Sequence, residues 1–211
     1  FIMEPTFQKL IEKRKSVGLP TNVLDLFGSG EFVTDMECVD SLTSMKLTKR
    51  VVVDQRPFEG HRYFMLDGNL YSGSSWHKLS ANMKKQEIGG FDLVVCRPLA
   101  GFGNQESDKK DFNPSVYAYL YYSLLGRAYK LMSSHNSMLL TTTPDVGIPD
   151  EVVQLWSEKM GTCNVSVEYS DLMGSIKMIK TKDSPPVLPV LDYNQLVSEA
   201  KPTEGFRNHD I

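Results

Sequence analysis

The sequence is short of cysteine, of long apolar runs, of positive charge and of clustered histidine, and each shortage removes a class of protein. Its cysteines are Cys38, Cys96 and Cys163, an odd number at wide, irregular spacing. That is neither a disulfide framework nor a zinc signature, and it points to a reducing, cytoplasmic compartment. No apolar run approaches the roughly 18 residues that span a bilayer, and the first residues lack the layout of a signal peptide. No membrane partner is expected. Lys and Arg number 23 against 26 Asp and Glu, a net charge of −3, so no basic excess marks a nucleic-acid footprint. His61, His77, His135 and His209 are scattered without metal-ligand spacing, and no metal site is expected. Phe1 stands ahead of Met3, as it would in a fragment or beside an expression scar.

What is present is enough for one α/β domain: 211 residues, 41% hydrophobic and 23% charged. Residues 4–18 read as a helix with a solvated basic run at Lys13, Arg14 and Lys15, closed by Gly18 with Pro20 beyond. From residue 22 short apolar runs alternate with helical patterns. Val23–Phe27 reads as a strand. Glu31–Leu47 reads as a helix, with Phe32, Val33, Met36, Val39, Leu42 and Met45 on one face. Arg50–Val53, Tyr63–Leu66 and Phe91–Cys96 read as the next strands, with Ser72–His77 as a loop. Asn113-Pro114 opens a helix running to about Ser133. Its tyrosines, Tyr117, Tyr119, Tyr121, Tyr122 and Tyr129, read as core and rim. Ser137–Thr142 is a strand, Pro149–Met160 a helix ended by Gly161, and Val165–Tyr169 and Ser175–Lys180 a final strand pair. The Pro-rich tail from Asp183 carries a short helix at Tyr193–Ala200 and is expected to pack loosely or to reach a protein partner.

This alternation implies a largely parallel sheet with helices on both faces. In such folds ligands sit outside the carboxyl ends of the strands. Four strand ends therefore matter. The first is Asp25-Leu26-Phe27-Gly28-Ser29-Gly30, an acid followed by a turn whose glycines let a ligand approach the backbone. Asp54 ends the second, Asp67-Gly68 ends the third, and Cys96-Arg97-Pro98 ends the fourth. A nicotinamide-dinucleotide fingerprint would need glycine where Val33 stands.

Taken in order over residues 20–180, these ends resemble the class I S-adenosylmethionine-dependent methyltransferase family. The resemblance implies a three-layer α/β sandwich on a mostly parallel seven-stranded sheet, last strand antiparallel. It implies a helical extension over 1–20, a methyltransferase-like domain over 21–182 and a tail over 183–211. It implies S-adenosylmethionine as cofactor, with Asp25, Gly28 and Gly30 at the methionine half, Asp54 at the ribose, Asp67 with Gly68 at the adenine, and Cys96 where the methyl is presented. The methyl acceptor, whether small molecule, RNA or protein, is not encoded legibly. Cys96-Arg97-Pro98-Leu99 departs from the Asn-Pro-Pro-Tyr type that acts on adenine or glutamine amino groups, Ser134-His135-Asn136 stands where many members have Pro-Gly-Gly, and Gln55 follows Asp54 where an apolar residue often packs on the adenine. Arg97 reads as a clamp for an anion or as a surface ion pair, and Asn104 as a substrate-orienting group or part of an ordinary loop. The reaction implied is in-line displacement on a sulfonium methyl, driven by alignment and water exclusion. The alternative is a non-catalytic binding or scaffold subunit of the same fold.

Overall fold

Apolar stretches too short to bury themselves must pair with one another, and here they do so in one sheet. The computed structural model of the chain describes residues 5–18, 21–26, 41–46, 62–67, 73–96, 114–134, 136–142, 148–170 and 175–200. Its elements are α1 (Pro5–Ser16), β1 (Asn22–Leu26), β2 (Ser41–Lys46), β3 (Arg62–Asp67), α2 (Gly73–Lys85), β4 (Leu93–Cys96), α3 (Pro114–Lys130), β5 (Ser137–Thr142), α4 (Asp150–Thr162), β6 (Ser166–Ser170), β7 (Ser175–Lys180) and α5 (Tyr193–Glu199). The strands lie in the order β3-β2-β1-β4-β5-β7-β6. The first five are parallel, and β7 runs antiparallel to both β5 and β6. Among the described residues no helix is long and apolar enough to cross a membrane.

Alternation along the central strands sorts side chains to two faces. Leu24, Leu26, Val94, Cys96 and Leu139 join one continuous core with Trp76, Leu79 and Met83 of α2, Tyr121, Leu125 and Tyr129 of α3, and Val153 and Trp156 of α4. Val23, Asp25, Leu93, Val95, Met138 and Leu140 are also buried but lie outside that cluster, on the opposite face. The central strands are thus enclosed on both sides, as parallel strands require.

Gly18 ends α1 in the left-handed region, φ +68°, which favours glycine. Asp192 caps α5 by accepting from the backbone N–H groups of Asn194 and Gln195.

Five expectations change. Of the helix expected over Glu31–Leu47, the described part, Ser41–Lys46, is instead strand β2, which hydrogen-bonds to β1 and β3. Leu42 and Met45, three apart, mimic a helical stripe, and non-local pairing overrides that local spacing. The second strand therefore falls at Ser41–Lys46 and not at the expected Arg50–Val53 ending in Asp54, which lies outside the described residues. The loop expected at Ser72–His77 is from Gly73 the start of α2, whose Trp76, Leu79 and Met83 form an inward stripe at helical spacing. Arg14 is not simply part of a solvated basic face: its guanidinium is 2.9 Å from the buried Asp92 carboxylate. The stretch from Asp183 to Ala200 does not hang loosely, because Leu188 and Leu196 are buried in the core cluster.

Candidate cofactor site at the carboxyl edge

Because β1 to β5 are parallel, their carboxyl ends share one edge of the sheet. The register fixes the order along it: Asp25 lies opposite Ser44 of β2 and Val95 of β4, Lys46 opposite Asp67, and Cys96 opposite both Leu26 and Thr141. The chain passes from β1 to β2 on one side and β4 takes the other side, so the strand order reverses at β1. Such a switch point opens a crevice outside the strand ends.

Asp25 sits one residue inside the end of β1, with 0% exposure. A carboxylate buried this deeply is costly unless it is compensated by hydrogen bonds or positive charge. Asp67 ends β3 on the same edge, two strands away. Cys96 ends β4, but its side chain turns into the α3 face, where it shares a hydrogen bond with Thr141. Burial pushes the thiol up to about 12; the Thr141 hydrogen bond lowers it and the Asp25 charge raises it further. Cys96 is therefore a neutral thiol at physiological pH and no nucleophile. The Tyr121 hydroxyl is 3.3 Å from Thr141 Oγ1. Burial raises its pKa above the phenol range, against the lowering effect of the Thr141 hydrogen bond.

The trio Tyr121, Thr141 and Cys96 ties α3 to the ends of β4 and β5. Thr141 is a residue that sequence reasoning passed over; its signal was the polar run Thr141-Thr142-Thr143 closing an apolar strand. Gly28, Gly30, Asp54, Gly68, Arg97 and Asn104 lie outside the described residues. Of the expected site, then, Asp25 and Cys96 are placed with their side chains, and Asp67 by its backbone.

The amino edge is built differently. Asp92 accepts from the Asn22 backbone N–H through Oδ2 at 2.9 Å and pairs with Arg14 through Oδ1. Its own backbone N–H donates to Asn22, and its carbonyl accepts from Met138. One residue thereby joins α1, β1, β4 and β5. Lys180, 5% exposed, donates through Nζ to the carbonyls of Tyr129, Met132 and Pro186 at 3.0, 3.4 and 3.2 Å and lies 4.6 Å from the Tyr129 ring centroid. Burial lowers its pKa. An ammonium at the end of α3 also meets the negative pole of the helix. An open groove of about 500 Å³, bordered by Asn164, Ser166, Thr181 and Ser184, belongs to this edge as well, where β6 begins and β7 ends.

No family model matches the sequence, and no curated protein matches it. Among solved structures, the chain is similar to the N-methyltransferase NodS from Bradyrhizobium japonicum WM9, at 13% identity and a TM-score of 0.44, over 85% of this chain and 97% of that one. It is also similar to a release factor-specific protein-(glutamine-N5) methyltransferase from Alicyclobacillus acidocaldarius, at 15% identity and a TM-score of 0.37, over 87% and 95% of the two chains.

Proposed function

We propose that this chain is an S-adenosylmethionine-dependent methyltransferase whose cofactor lies across the carboxyl ends of β1 to β4. We read the sheet as the seven-stranded centre of a three-layer α/β sandwich. The observation that carries the functional reading is Asp25, a carboxylate with 0% exposure one residue short of the β1 end, at the strand-order switch. An acid there suits the ammonium group of a methionine moiety, and a second acid at the end of β3, Asp67, suits an exocyclic amine. The donor set on this edge thus fits a cationic nucleoside thioether.

When bound, the cofactor would supply a methyl group already activated by its sulfonium charge. The chain's own residues then have three tasks. Asp25, with the Gly28 and Gly30 turn after it, holds the methionine half; Asp54 holds the ribose; Asp67 and Gly68 hold the adenine. The Tyr121, Thr141 and Cys96 trio fixes where β4 and β5 end, and so where the acceptor must lie. Arg97 and Asn104, which follow β4, are the candidates to hold the acceptor, a small molecule, RNA or protein. Alignment of this kind supplies rate without a dedicated base, unless the acceptor must first lose a proton.

The test is calorimetric titration of S-adenosylmethionine and S-adenosylhomocysteine into the purified chain. Micromolar binding of both is the expected result. A folded chain that takes up neither overturns the reading.

A further inference from the structure

The anchoring surface of the segment that follows β7 contains an unmade hydrogen bond. Residues 181–200 contribute no strand to the sheet, and α5 packs on α3 and α4 alone among the named elements it touches closely. Its attachments are side-chain contacts: Leu191, Val197 and Ala200 pack against the core cluster, and Tyr193 meets Tyr119 edge-on at 5.9 Å. Leu188 and Leu196 are buried, Lys180 Nζ reaches the Pro186 carbonyl, and Lys159 pairs with Glu199 at 2.6 Å on the surface. The Tyr193 ring stacks on Tyr122 at 5.6 Å between centroids and 8° between planes, and Tyr122 stacks in turn on Trp156 at 4.5 Å and 15°. Seven residues of helix do not hold their shape without such packing.

Beneath that stack the Tyr122 hydroxyl is buried and has no hydrogen-bond partner. A buried hydroxyl left unbonded carries a real cost. The Tyr193 ring covers one face of Tyr122, so undocking Tyr193 would uncover that face to water. The segment leading to α5 also spends its apolar surface unevenly. Leu188 is buried while Val187 and Val190 are 48% and 94% exposed.

We propose that residues 181–199 form a releasable strap: a unit that undocks from the α3–α4 face while the sheet stays folded, with the unbonded Tyr122 hydroxyl setting its balance toward release. The strap is coupled to the carboxyl edge by adjacency. Tyr121, next to Tyr122 and 5.2 Å from it between ring centroids, holds Thr141 and through it the end of β4.

The experiment is native-state hydrogen exchange on the full chain without ligand, comparing amides of Leu196–Ala200 with those of β4 and β5. The strap amides are expected to exchange at least a hundredfold faster than the sheet amides, by an opening that low urea does not accelerate as it does global unfolding. In Tyr122→Phe, which removes the hydroxyl and keeps the ring, strap opening is expected to fall about tenfold. In Lys159→Met, which removes the surface ion pair without touching the stack, opening is expected to rise by about twofold to threefold. Strap and sheet amides exchanging together in one cooperative unit would overturn the proposal. So would Tyr122→Phe opening as fast as the wild type. Because no ligand is added, neither outcome depends on whether the cofactor reading is right.

Discussion

The two edges of the sheet both bury charge, and we propose that they use it differently. At the amino edge, Asp92 and Lys180 are consumed by the fold. Asp92 is held by Arg14 and the Asn22 N–H, and Lys180 by three carbonyls from two parts of the chain. At the carboxyl edge, Asp25 stands at the reversal of strand order, beside a neutral thiol, with Asp67 two strands along. Charges spent on joining elements stabilise the molecule. In the proposed function the charge at the switch point meets a ligand. The difference teaches that burial of a carboxylate does not by itself mark a site; what it joins does.

Mutations should separate the edges. The largest stability effect is expected from Asp92→Ala. It leaves the Arg14 guanidinium and the Asn22 N–H without their carboxylate, a loss of about 3–5 kcal/mol, read as a fall in the urea midpoint at unchanged slope. Lys180→Met keeps the aliphatic stem but frees three carbonyls, and is expected to cost about 2 kcal/mol. Gly90→Ala comes next. Its new Cβ would lie 2.9 Å from Ser133 Cα and 3.0 Å from Ser133 N, where the Phe91 N–H donates to the Leu131 carbonyl and the Phe91 carbonyl accepts from the Ser133 N–H. Backbone must shift, at about 1–3 kcal/mol.

Raised pH probes the two edges and the aromatic face together. Cys96 and Tyr193 are each pushed up to about 12, and burial raises Tyr121 and Tyr122. These groups keep protons in the folded chain that the unfolded chain gives up above pH 9 to 10. Their contribution is present below that range and lost as pH rises toward the folded values. Lys180 acts in the opposite sense: its folded pKa lies below 10.5, so its contribution grows with pH just below that value. Four phenols, with Tyr129 also raised by burial, and a thiol outweigh one ammonium. The stability measured by urea is expected to fall between pH 9 and 11, with a slope of about 1.4 kcal/mol per pH unit for each net group titrating. A flat profile would contradict the buried, neutral state of the Tyr121 and Cys96 pair.

Much of this layout was legible in the sequence, because local chemistry agreed with the fold. β5 and β7 match their expected bounds, Ser137–Thr142 and Ser175–Lys180, since apolar runs there are bounded by turn residues. The place of Asp25 near the end of the first strand was legible from the Gly28 and Gly30 that follow it in sequence. Three things were not. Ser41–Lys46 has no alternation, and only its neighbours β1 and β3 make it a strand. The Ser-rich start of α2 disguised the Trp76, Leu79 and Met83 stripe. The tail's Pro-rich composition hid Leu188 and Leu196, whose burial depends on α3 and α4 lying beneath them. In each case the deciding contact is distant in sequence.

The central proposal is that Asp25 serves a ligand and Asp92 the fold. The measurement that tests it most directly is S-adenosylmethionine affinity of Asp25→Asn and Asp92→Asn, each beside its urea midpoint. The expected result is a loss of at least tenfold in affinity for Asp25→Asn with a folded, cooperative protein, and a lowered midpoint for Asp92→Asn with near-normal affinity in the folded fraction. Equal affinity in the wild type and Asp25→Asn, or a loss confined to Asp92→Asn, would contradict it.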